Sequence, residues 1–163
     1  MLSKAMQNAL NDQIQKEMYS SHLYLAMSAY CEANNLPGSA KWTRIQSQEE
    51  MSHAMKLYDY GTDRGGPVTL EAIQKPPAEY KSALDIFRKV LEHEQHVTAS
   101  IHKLYAQAVK ENDYASQIVL QWFVTEQVEE EKNATQIVEQ LKMVGDSKTS
   151  LMLLDLHLAK RGA

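Results

Sequence analysis

Along four long stretches of the chain, apolar residues recur every three or four positions, the spacing that places side chains on one face of an α-helix. Leu10 and Ile14 precede Glu17 by seven and three residues, and Tyr24 follows it by seven. Thr43, Ala54 and Leu57 share a line with Glu50, and His53 stands one turn on. Phe87, Val90, Val97 and Ile101 flank Glu94 in the same way. Val119, Phe123, Gln127, Glu130, Ala134, Ile137, Leu141 and Val144 form one ladder of three- and four-residue steps. The stretches are rich in the helix formers Ala, Leu, Met, Glu, Lys and Gln. Breaks fall at Pro37–Gly38, Gly61 to Pro67, Pro76–Pro77 and Gly145. The pattern predicts helices at 4–33, 38–64, 82–111, 113–144 and 147–160, with no strand. Asn112 or Asp113 suits the cap of the fourth helix, Asp146 or Ser147 that of the fifth, and Gly145 the turn between them.

Connection lengths predict the topology. The first and third links are a few residues long, so the helices they join are antiparallel neighbours. The second link, GGPVTLEAIQKPPAEY, can span about 50 Å when extended, whereas a helix of ~27 residues is only about 40 Å long. The third helix can therefore start at the far end and run parallel to the second. The chain is all-α: a four-helix bundle with one long crossover between helices two and three, and a short fifth helix.

Composition narrows the setting. One domain over residues 1–163 suits the length. The 163 residues are 44% hydrophobic, and no apolar run approaches the roughly 20 residues that span a bilayer. The start, MLSKAMQNAL, has no apolar leader region. Cys31 is the only cysteine, which fits a reducing, cytoplasmic location without a membrane role. A formal net charge of −4 argues against a nucleic-acid partner.

Each apolar stripe is interrupted once, and at one depth. Glu17, Glu50, Glu94 and the pair Gln127/Glu130 lie within about two residues of the helix midpoints, or roughly 3 Å along the axis. In a bundle they meet at one level. Desolvating a carboxylate costs several kcal/mol, and neighbouring like charges add to it. Such a group holds either protons or a cation. Carboxylates with one imidazole suit Fe(II), Mn(II) or Zn(II), and the lack of thiolates disfavours copper(I) and iron–sulfur clusters. Glu50, with neighbours on both sides, allows for a second metal, and Tyr24 and Gln127 would orient the ligands. A lone glutamate on a helix is more simply a solvated residue, and EQVEEEK reads as an exposed charged face that includes Glu130. His22, His93, His96 and His102 read as surface or packing residues, and Met6, Met18, Met27, Met51 and Met55 as gap-filling or interface residues. The coincidence of depth in four helices carries the metal reading.

These pieces together resemble the non-haem ferritins of bacteria and archaea. They are KEMYSSHLYL with Glu17 and Tyr24, QEEMSHA with Glu50 and His53, EHE with Glu94, and QWFVTEQVEEEK with Gln127 and Glu130. The resemblance implies a ferroxidase centre in which Glu17, Glu50 and His53 hold one iron and Glu94 and Glu130 a second, with Glu50 bridging. Glu49, Glu126, Glu129 and Glu130 match a third iron site of prokaryotic members. It implies oxidation of Fe(II) by dioxygen or peroxide and storage of Fe(III) mineral inside a homo-oligomeric shell of 24 subunits. Bacterioferritins carry a second Glu-x-x-His on the last bundle helix, where this chain has Gln127 and Glu130. Met51 stands where they place a haem-ligating methionine, so a haem-binding redox protein is the alternative. The fifth helix, SLMLLDLHLAK, is apolar nearly all round and needs cover on more than one side, from the bundle and from a symmetry mate.

Overall fold

The computed structural model describes residues 1–162, so the last residue of the expected 1–163 domain, Ala163, lies outside the described residues. Five helices are present: α1 (Lys4–Ala33), α2 (Pro37–Asp63), α3 (Ala83–Lys110), α4 (Tyr114–Val144) and α5 (Lys148–Leu158). There is no strand among the described residues.

Short polar side chains set the helix starts. Ser3, Ser82, Asp113 and Ser147 each accept a hydrogen bond from the backbone three residues on, so they satisfy a donor that lacks an intrahelical partner. Asn112, the other candidate for the fourth cap, instead takes the left-handed turn that ends α3, with φ 54°. Asparagine tolerates that conformation better than most residues. Pro37, expected as part of a break, is the first residue of α2, where its fixed φ is already helical and its missing N–H costs nothing.

Two apolar cores lie on either side of a polar layer. One contains Met6, Leu10 and Ile14 of α1, Leu57 of α2, Val97 and Ile101 of α3, and Leu120 and Phe123 of α4. The other contains Tyr24 and Met27 of α1, Ala40 and Trp42 of α2, Phe87 and Val90 of α3, and Ala134 and Leu141 of α4. Residue numbers climb from the first core to the second in α1 and α4 and fall in α2 and α3. Helices α2 and α3 are therefore parallel, and each is antiparallel to its hairpin partner, as the crossover length allows. The crossover runs along α1, where Asn11 Nδ2 donates to Pro67 O at 3.3 Å, Gln15 Nε2 to Ala72 O at 3.3 Å and Tyr30 Oη to Tyr80 O at 2.6 Å. In α4 the inward line starts at Ser116 and Leu120, both fully buried, rather than at the half-buried Val119.

Helix α5 lies against the start of α2. The carboxylate of Asp155 accepts from Gly38 N, Ser39 N and Ser39 Oγ, each at 2.7 Å. An acid on one helix thereby caps another whose own cap position, Leu36, has no side chain to offer. The approach is close enough that a Cβ on Gly38 would lie 1.7 Å from the Asp155 carbonyl oxygen, so only glycine fits. On its outer side α5 leaves Met152, Leu153 and Leu156 exposed.

Candidate metal centre

The polar layer between the cores consists of Glu17, Glu50, His53, Glu94, Gln127 and Glu130, all buried. Glu17 and Glu94 are each only 1% exposed. Because each side chain sits near the middle of its helix and on its apolar line, helix packing alone carries it inward.

Glu17, Glu50 and His53 each offer a ligand atom, and the three atoms lie within 4.8 Å of one another. His53 Nδ1 is 3.6 Å from Glu50 Oε2. The imidazole stands edge-on to Trp122 and Phe123, with ring centroids 5.3 and 6.0 Å away, which fixes its plane. Gln13 Nε2 donates to Glu17 Oε1 at 2.8 Å, and Gln46 Nε2 to Glu50 Oε1 at 2.9 Å. Each carboxylate is thus held by a glutamine one turn earlier on its own helix. The second oxygen of Glu17 has no partner, the one such buried side-chain polar atom among the described residues.

Glu94 extends the layer from the other hairpin. Its Oε1 accepts from Tyr24 Oη. Gln127 Nε2 lies 3.1 Å from its Oε2 and 3.2 Å from its carbonyl oxygen. Tyr24 and Gln127 therefore hold both oxygens of the Glu94 carboxylate. Glu130 completes the layer and feels the charge of Glu94.

The electrostatics show what the layer lacks. Burial, then the charge of Glu50, raises the Glu17 carboxyl to about 8. Burial and the charge of Glu94 raise Glu130 to about 7. Glu50 is pushed well above the carboxylate range by burial and by Glu94, and Glu94 is raised by its own burial. Among the described residues no lysine or arginine pairs with any of the four acids. A cluster of acids with one imidazole, an orphaned Glu17 oxygen and side-chain donors bracing Glu17, Glu50 and Glu94 has the composition of a divalent-cation site.

Of the residues matched to a third site, Glu130 lies in the layer and the other three sit outside it. Glu49 is half exposed and pairs with the Arg161 guanidinium. Glu126 is half-buried and Glu129 exposed. Met51, the candidate haem ligand, is exposed on α2. Sequence reasoning missed Gln13, Gln46 and Arg161. The two glutamines carried a readable signal, since each stands four residues before an inward glutamate, the spacing of a same-face hydrogen bond. Arg161 carried none, because it lies more than a hundred residues from its partners.

Comparison with known proteins agrees with this architecture. A family described as "Ferritin-like domain" matches residues 7–144. The chain is 43% identical over 161 residues to a protein named bacterial non-heme ferritin from Bacteroides fragilis, covering 99% of this chain and 100% of the relative. A namesake from Campylobacter jejuni is 40% identical over 158 residues, covering 97% and 95%. Among solved structures, an open pore ferritin from the hyperthermophilic archaeon Archaeoglobus fulgidus superposes with a TM-score of 0.98 at 46% identity, covering 99% of both chains.

Proposed function

From the premise that the chain belongs to the ferritin family and is an iron-storage ferritin of the non-haem kind, we propose that its buried acid layer is a dinuclear ferroxidase centre. Glu17, Glu50 and His53 would hold one Fe(II), and Glu94 and Glu130 the second, with Glu50 between them. The observation that carries this reading is the cluster of Glu17, Glu50 and His53 around the unpartnered Glu17 oxygen.

Iron is the substrate. Two ferrous ions give up one electron each, which balances the two-electron reduction of dioxygen to hydrogen peroxide with uptake of two protons. The protein's part is to hold and orient. Gln13 and Gln46 fix one oxygen each of Glu17 and Glu50 and leave the other free. Tyr24 and Gln127 hold Glu94 by one oxygen each, Oε1 and Oε2. The two apolar cores exclude water above and below, which strengthens each charge interaction. The acids give up protons as cations arrive, because a carboxylate ligand must be ionised.

Glu49, Glu126, Glu129 and Glu130 would form a further iron site beside the pair. Exposed Met152, Leu153 and Leu156 on α5, with Leu70 and Ile73 on the crossover, are the surfaces a shell of copies, 24 by family likeness, would cover. No described helix is long and apolar enough to cross a membrane.

Aerobic addition of Fe(II) to metal-free protein, followed by ferric absorbance, tests the proposal. Wild type should oxidise iron far faster than a Glu50→Ala, Glu94→Ala double variant. Equal rates would remove the catalytic claim.

A further inference from the structure

We propose that Arg161 is a tethered counter-cation of the metal centre, which a cation entering beside Glu49 and Glu130 must displace. The inference rests on the metal-centre reading above and concerns a residue which that reading leaves unused.

Arg161 reaches α2 from the turn that follows α5. Its Nη2 donates to the Glu49 carboxylate and, at 2.7 Å, to Gln46 Oε1, while Nη1 lies 3.3 Å from the Trp42 carbonyl oxygen. The guanidinium carbon sits 4.2 Å from the centroid of the Trp42 ring. One side chain thus spans a full turn and more of α2 on the face beside the centre. Gln46 passes the contact inward: its oxygen accepts from Arg161 and its nitrogen donates to Glu50. With the oxygen engaged by a cation, the amide can present only its donor to the buried carboxylate.

The mount is rigid and the contact is exchangeable. Asp155 bonds α5 to the start of α2, and Lys41 Nζ donates to Ala159 O at 2.8 Å, two residues before the arginine. Gly162, at φ 71°, turns the chain just past it. A guanidinium does not deprotonate at ordinary pH, so it leaves only by displacement. The Glu49 side chain is 44% exposed, and an ion pair with so much solvent contact is weak. A divalent ion, with twice the charge and a neighbour in Glu130, can take Glu49 from it. The charge of Arg161 also acts on Glu130, against the upward push of burial and of Glu94. In the metal-free protein the guanidinium stands in for the outermost metal.

Zn(II) titration of the metal-free protein tests this by calorimetry together with indole emission. The Trp122→Phe background leaves Trp42 as the only tryptophan. In that background the weakest Zn(II) phase should change Trp42 emission as the guanidinium leaves the ring. In Arg161→Ala, and in a chain ending at Lys160, that phase should tighten roughly 5- to 10-fold, the low end of coupling between mutually exclusive partners, and Trp42 should fall silent. Arg161→Lys should lie between, because one ammonium can pair with Glu49 without also holding Gln46 and the ring. A weak phase of unchanged affinity in both arginine-free chains overturns the proposal, as does a Trp42 response that persists in them. Wild type that binds no Zn(II) overturns the metal-centre reading instead, a separately recognisable result.

Discussion

Glu17 and Glu50 stand on antiparallel helices with ligand atoms within 4.8 Å of each other, buried between two apolar cores and unreached by any described lysine or arginine. Such a pair is costly unless protons or a cation neutralise it. The consequences are measurable.

The first concerns stability without metal. Glu17→Gln keeps the oxygen that accepts from Gln13 and removes a buried acid, so the metal-free stability read from urea unfolding should rise by about 1–2 kcal/mol, while Zn(II) binding weakens. Glu94→Leu should behave oppositely. It strands the Tyr24 hydroxyl and the Gln127 amide, a loss of about 1–3 kcal/mol. A fall in the Glu17→Gln midpoint would mean that its carboxyl is better satisfied than its contacts indicate.

The second concerns pH. Glu17, raised to about 8, and Glu130, raised to about 7, stay protonated in the fold after the unfolded chain has released those protons near 4.5. The folded state binds more protons over that range, so stability falls as pH rises, by at most about 1.4 kcal/mol per unit per group. His93, held down to about 4 by burial and then by His96, acts in the opposite sense between 6.5 and 4 and blunts the gain on acidification. The clean window is pH 6.5 to 8, where the metal-free melting temperature should decline. Saturating Zn(II) should abolish the decline, since binding favours the ionised acids. A metal-free melting temperature that climbs across that window would contradict the assignment.

The third separates orientation from ligation. Tyr24→Phe removes one of the donors to Glu94 and leaves every acid in place. Fe(II) oxidation should slow roughly 10-fold or more, as for other residues that orient metal ligands, with Zn(II) stoichiometry unchanged. An unaltered rate would show that Gln127 alone suffices to hold Glu94.

The fourth tests the seating of α5. Asp155→Ala leaves Gly38 N, Ser39 N and Ser39 Oγ without their acceptor, at a cost of about 2–4 kcal/mol. Gly38→Ala should be at least as damaging, because its Cβ cannot coexist with the Asp155 carbonyl. Chemical denaturation measures both, and a loss under about 0.5 kcal/mol in each would show that α5 docks by other contacts.

The amino-acid sequence alone determined the five helices, their caps to within a residue or two and the inward acids. Those features follow from local periodicity, capping chemistry and the reach of an extended crossover, all of which act over short stretches of chain. It also held, unread, the glutamines that brace Glu17 and Glu50 from one turn away. Tertiary structure alone decided that Asp155 caps a helix other than its own and that Arg161 occupies Glu49. Those contacts join residues more than a hundred positions apart, and no local spacing encodes them. They exist because α5 packs where the start of α2 has unpaired donors and no side chain of its own to meet them.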